Sequence, residues 1–150
     1  MSAPLHYHYA TERHSRPLAH IHLDSLLSAI SACESNNDPR AINPRSGARG
    51  LYQFRASTWY TFGTPNHLDA HDPITSRAAA TRYLTFLGRL LCDHQLPVTI
   101  LNLATLYTCG TLTRGIPEYS HRVANLYTDS LRNLPLALLP SPSVSSPHPG

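Results

Sequence analysis

The chain has 150 residues, of which 41% are hydrophobic and 14% charged, with a formal net charge of +3. That length suits one domain with a modest core, and so low a charge content excludes a highly charged disordered chain. All 12 basic residues are arginine and they form no dense run, so the positive balance permits an anionic partner without pointing to nucleic acid.

Residues 1–17 are polar, His-rich and without a period, and read as a flexible N-terminal arm. They lack the charged start and apolar run of a secretory signal, and no stretch of the chain has the apolar length of a membrane span. Leu23, Leu26, Leu27, Ile30 and Cys33 then follow the three-and-four spacing of a helix with one buried face, with Asp24 near its start. Glu34 continues that face at the helix's C-terminal end. Residues 35–50 are turn chemistry throughout. Ser57 or Thr58 is placed to cap a short helix that carries Trp59, Tyr60 and Phe62 and closes at Gly63.

Asp72 and Pro73 make a cap and first turn for a long helix to about residue 91, with Ile74, Ala78, Leu84, Leu87 and Leu91 inward. Pro97 opens a helix that ends at Gly110, with Leu101, Ala104 and either Leu106 or Tyr107 inward. Pro117 opens the last helix, through Val123, Leu126 and Leu131. No stretch alternates as a strand, so the fold class is all-α. The expectation is one helical domain over residues 18–132, followed by a Pro/Ser-rich C-terminal tail over 133–150. In that tail Leu134, Leu136, Leu138 and Leu139 are placed to dock on the domain.

Glu34 is the residue to explain. Desolvation beside a core and the negative end of a helix both favour the protonated carboxyl, which is the form that donates to a glycosidic oxygen. From position alone the commoner reading is a glutamate swung out to water. No Asp or Glu occurs from residue 39 to residue 68, so the segment expected to cross the cleft offers no second acid at the roughly 5–9.5 Å of a hydrolytic pair. Asp38 is expected to face water, and Asp72 to serve as a cap. A lone acid works when the sugar's own N-acetyl group or 6-hydroxyl completes the reaction. His6 with His8, and His20 with His22, alternate suggestively but lack a Cys or carboxylate partner, and read as exposed histidines of a flexible arm. Cys33, Cys92 and Cys109 fit no zinc spacing. Neither a metal nor a cofactor is expected.

Residues 34–59, ESNNDPRAINPRSGARGLYQFRASTW, carry an ordered series of matches: Glu34 and Ser35, Pro39, Ala41, Asn43, Ser46, Gly47, Ala48, Gly50, Leu51, Gln53, Ser57 and Thr58. In that order they resemble the lytic transglycosylase (SLT-type) domain of the lysozyme superfamily. Cys33 before the glutamate, Gln53 with Phe54, and Thr58 with Trp59 are similar to the resuscitation-promoting-factor branch. The likeness continues through RAAATRYLTFL at residues 77–87 and LATLYTCG at 103–110, where Tyr107 and Gly110 match and Thr108 replaces the family's Asn.

The resemblance implies a lysozyme-like fold acting on peptidoglycan glycan strands, with Glu34 as catalytic acid and base. Substrate contacts are then expected from Ser35, Ser46, Gly47, Ala48, Tyr52, Gln53, Tyr107 and Thr108. Tyr52 stands at the family's usual Met position, where its ring would pack on a sugar face, and Gln53 offers a donor and an acceptor to an acetamido group. Gly47 and Gly50 allow the loop to approach the cleft closely. Trp59 reads as a core anchor. Relatives hydrogen-bond the Tyr107 counterpart near the glutamate and place another Tyr in the last helix; Tyr119 and Tyr127 both qualify. The branch also pairs the Cys before the glutamate with one near the domain's C-terminal end. Cys33 and Cys109 hold comparable places, and a bridge and two reduced thiols are equally open.

The implied reaction cleaves the β-1,4 bond between N-acetylmuramic acid and N-acetylglucosamine and leaves 1,6-anhydro ends. A hydrolytic muramidase and a weakly active wall-binding virion component are the alternatives. The expected place of action is the bacterial wall or periplasm, reached in a bacteriophage virion, by lysis or through a dedicated secretion machine.

Overall fold

A computed structural model describes residues 16–140, and the expectations for the far N-terminal arm and the last ten residues lie outside them. Among the described residues five α-helices form the domain: α1 (Leu23–Ser35), α2 (Ala56–Phe62), α3 (Pro73–Asp93), α4 (Ile100–Cys109) and α5 (Glu118–Arg132). Short 3-10 turns occupy His67–His71 and Leu136–Leu138. Among the described residues there is no strand, only the isolated antiparallel bridges of Ile42 with Arg49 and Arg49 with Phe54. The all-α expectation therefore holds.

α5 packs most extensively on α1 and α4, while α3 lies behind α1, α2 and α4. Leu26, Leu27 and Ile30 of α1 meet Trp59, Leu84, Leu91, Leu103 and Val123 in a core that excludes water. Each such side chain contributes about 1.5–3 kcal/mol relative to exposure. Trp59 is fully buried and donates from Nε1 to the Asn66 carbonyl at 2.9 Å, which makes it the anchor its sequence context suggested.

The caps follow local chemistry, with two corrections. His22 caps α1, its Nδ1 accepting from the Ser25 amide. Asp24 stands in the first turn, as its place near the helix start implies, and pairs with Arg77 across the surface. α2 begins after Arg55 without a side-chain cap, so neither Ser57 nor Thr58 serves. α4 starts three residues beyond Pro97, where the Thr99 hydroxyl accepts from the Asn102 amide. Asp72 does cap α3, accepting from the Thr75 amide at 2.8 Å with Pro73 in the first turn.

Two inward assignments were also wrong: Ile74 is 82% exposed and Ala78 is exposed. α3 buries Ser76, Ala79 and Ala80 instead, and α5 buries Ser120. Small residues let helices approach closely, and the buried Ser120 hydroxyl meets that of Thr105 at 2.8 Å between α5 and α4. Leu103, which the sequence reading left out, is fully buried in α4.

At the edges, Pro17 is buried, with Gly88 of α3 close by. Leu136 and Leu138 stand exposed beyond α5 rather than docked. His20 and His22 belong to the ordered entry to α1: His20 Nε2 bonds the Val98 carbonyl at 2.6 Å. That contact, and the capping role of His22, replace the flexible-arm reading for this pair.

Candidate active site

Glu34 stands in the last turn of α1, and the chain reverses directly after it. Asn36 and Asn37 both take left-handed conformations, at φ 53° and 61°, which Asn tolerates better than most residues. Their amides close the helix onto the carbonyls of Ala32 and Ser31. The Ser35 hydroxyl lies 2.8 Å from the Leu51 carbonyl and 3.1 Å from that of Ser31, drawing the following loop onto the helix end. This geometry leaves Glu34 on a cleft of about 370 Å³.

Burial raises the Glu34 pKa above the ordinary carboxyl value; the Tyr119 hydroxyl and the positive charge of Arg55 oppose the rise. The Tyr119 hydroxyl is itself buried and has no hydrogen bond of ordinary geometry, so its approach to Glu34 is an electrostatic contact short of a formed bond. Burial and the charge of Glu34 together push the Tyr119 phenol far up. Tyr107 behaves similarly, raised by burial first and Glu34 next, and its hydroxyl donates to the Tyr52 carbonyl at 2.7 Å. The open choice between two tyrosines is thereby decided. Tyr127 lies near the opposite end of α5, accepting from the His22 amide at 3.0 Å, and Tyr119 faces the glutamate.

Of the sequence-selected residues, Ser46, Ala48, Gln53, Tyr107 and Thr108 line the cleft with Glu34. Gln53 adopts φ 50° and directs Nε2 to the carbonyls of Gly50 and Ala41, leaving Oε1 as the atom available to a ligand. The proposed donor role of its amide is thus taken by the loop itself. Ser35, Gly47 and Tyr52 do not line the cleft. Ser35 holds the loop. Gly47, at φ 71°, turns the chain between two residues that do line the cleft, and donates its amide to Asn43. Tyr52 is buried with its phenol against Arg77, on the side of the surface pair with Asp24, so the ring does not form a sugar platform.

Arg55, Thr58 and Tyr83 also line the cleft and were not selected as ligand contacts. The sequence offers Thr58 as a cap and Tyr83 only as part of a helix match. Arg55 is the one with a visible signal: a cation directly after the matched Gln53 and Phe54. Asn43 lines the cleft too; its Oδ1 accepts from the amides of Arg45 and Ser46, which shapes the loop.

Among the described residues, Glu34 is the one carboxylate on the cleft wall. Asp38 accepts from the Arg40 amide in its own exposed turn, and Asp69 accepts from the Thr64 hydroxyl. No group of three or more potential metal ligands occurs among the described residues. Cys33 and Cys109 are both free thiols. Cys109 is exposed at the cleft rim, whereas Cys33 is half-buried, and burial raises its pKa.

The family profile described as "Transglycosylase SLT domain" matches residues 18–111, which hold α1 through α4 and every residue of the cleft wall. The chain belongs to the SLT transglycosylase domain family. Probable transglycosylases SceD 3 and SceD 1 of Staphylococcus saprophyticus are each 51% identical to this SLT domain over 39 residues, 26% of this chain and 16% of theirs. Probable transglycosylase SceD of Staphylococcus epidermidis is 37% identical over 70 residues, 43% of this chain and 32% of its own. The chain thus spans a third or less of the length of these relatives. No solved structure gives a significant match. Among the described residues of this SLT domain, no helix is long and apolar enough to cross a membrane.

Proposed function

We propose that the domain is a lytic transglycosylase that cleaves the β-1,4 bond between N-acetylmuramic acid and N-acetylglucosamine in peptidoglycan, with Glu34 as its single acid and base. The observation that carries this reading is the solitary, desolvated carboxyl on the cleft wall. Membership of the SLT family supports the substrate class, and the staphylococcal relatives, named as probable transglycosylases, support the reaction type.

Protonated Glu34 donates to the glycosidic oxygen as the bond from that oxygen to the muramic C1 breaks. The departing sugar leaves with a free 4-hydroxyl, and positive charge develops at C1. The Glu34 carboxylate, favoured at this moment by Tyr119 and Arg55, then takes the proton of the muramic 6-hydroxyl as that oxygen bonds to C1. The proton returns to Glu34, no water is consumed, and a 1,6-anhydro end results. A hydrolase would instead need a second group to activate water, and among the described residues the cleft wall offers no other carboxylate.

Digestion of purified peptidoglycan and mass analysis of the products tests this. Anhydro ends weigh one water less than reducing ends. Reducing ends would make the domain a muramidase, and no products would make it a wall-binding module. Glu34→Gln is expected to lower turnover by roughly a hundredfold or more with the helical signal intact. Parental turnover in that variant would remove Glu34 from the mechanism.

A further inference from the structure

Tyr83 forms part of the cleft wall and also begins an aromatic row that leads out of the cleft. Its ring centroid lies 5.2 Å from that of Tyr107 and 4.9 Å from that of Phe62, the last residue of α2. Phe62 in turn lies 5.3 Å from Phe86, one turn beyond Tyr83 on α3. Exposure is greatest at the outer end, where Phe86 is 47% open to solvent while Tyr83 and Phe62 are half-buried. Arg82 Nε donates to the Phe62 carbonyl at 2.7 Å and pins the end of α2 to α3, so the outer pair is in place before a ligand arrives.

Aromatic rings combine a large apolar face with tolerance of a wet edge, which suits the C–H face of a sugar whose hydroxyls stay in water. The row is continuous with the cleft through Tyr83, and a polymer lying across Glu34 must leave the cleft by some path along the surface. We infer that Phe62 and Phe86 form a second saccharide platform that holds a more distant sugar of the strand being cleaved. This rests on the glycan-cleaving function above and adds to it a preference for long strands over short fragments.

Binding to the full chain carrying Glu34→Gln, which silences cleavage, isolates the effect. The probes are long soluble peptidoglycan strands and the isolated disaccharide unit, read by calorimetry. Phe86→Ala, a change at an exposed position outside the cleft wall, is expected to weaken long-strand binding roughly three- to tenfold. Binding of the disaccharide should not change, and Phe86→Trp should restore the long-strand affinity. Equal affinity of parent and Phe86→Ala for long strands would overturn the platform while leaving the cleft's function standing, and so would an equal loss for both probes. Failure of the parent to bind either probe would overturn both.

Discussion

The Tyr107 hydroxyl donates a 2.7 Å hydrogen bond to the backbone carbonyl of Tyr52, joining α4 to the loop that follows the helix of Glu34. Two pieces of the cleft, α4 and the loop, are therefore held in register by one phenol. Tyr107→Phe keeps the ring but leaves a carbonyl of a buried residue without this donor. A stability loss of about 1–3 kcal/mol is expected, read from urea unfolding. Unchanged stability would mean that packing of the Tyr107 ring, and not the phenol, holds the loop.

The raised pKa of Glu34 makes two pH-dependent effects testable. The proposed mechanism needs the protonated acid, so the alkaline limb of the pH–rate profile should lie above the ordinary carboxyl range. Stability follows the same group. Because the folded state holds the proton more tightly than the unfolded chain, this contribution is fully present below the ordinary glutamate pKa and is lost as pH rises through the elevated folded value. Glu34→Gln should therefore melt above the parent at neutral pH, and the gap should close at about pH 4 or below. A gap that widens on acidification would show that the folded state prefers the carboxylate.

Tyr119 and Tyr127 give opposite signatures. The Tyr119 hydroxyl favours the ionised glutamate, so Tyr119→Phe should raise the Glu34 pKa further and move the alkaline limb to higher pH. Since that hydroxyl lacks a well-formed bond, its removal should leave stability nearly unchanged. Tyr127→Phe should leave the limb in place and cost about 1 kcal/mol, because the His22 amide loses its acceptor. A limb that moves in the Tyr127 variant and not in the Tyr119 variant would reverse the assignment.

That pair also shows where the sequence stopped being legible. Residues 119 and 127 stand close to two turns apart and share a face of α5, so periodicity cannot say which end of the helix meets Glu34. Helix existence was readable because leucines recur at three and four, and the α3 start was readable because Asp72 and Pro73 supply both a cap and a preset φ. The buried face of α3 was misjudged at Ile74 and Ala78 because it relies on Ser76, Ala79 and Ala80, whose small size matters only once a neighbouring helix is present. In the site, motif order located Glu34, Ser46, Ala48, Gln53 and Tyr107, but could not show that the Tyr52 ring turns toward Arg77. That direction depends on Arg77 and Asp24, both far away in sequence.

Two glycines of the cleft loop separate conformational need from spatial need. Gly47 and Gly50 both take positive φ, 71° and 81°, but a Cβ on Gly47 would meet nothing within 4 Å, whereas one on Gly50 would fall 2.0 Å from the Ala70 carbonyl oxygen. Ala at position 47 carries only the left-handed penalty of about 1–2 kcal/mol. Ala at position 50 carries that penalty and must also push the loop away from the 3-10 turn at His67–His71, displacing the Gly50 carbonyl that accepts from Gln53. Gly47→Ala is therefore expected to keep a cooperative urea transition at a modestly lower midpoint, and Gly50→Ala to lose far more stability and with it the cleft. Proton NMR of the Gln53 side-chain amide reports the loop directly: its resonances should stay near their parental positions in the first variant and move in the second. Equal losses at the two positions would mean that backbone conformation alone demands glycine here, and that contact with Ala70 does not set the position of the loop.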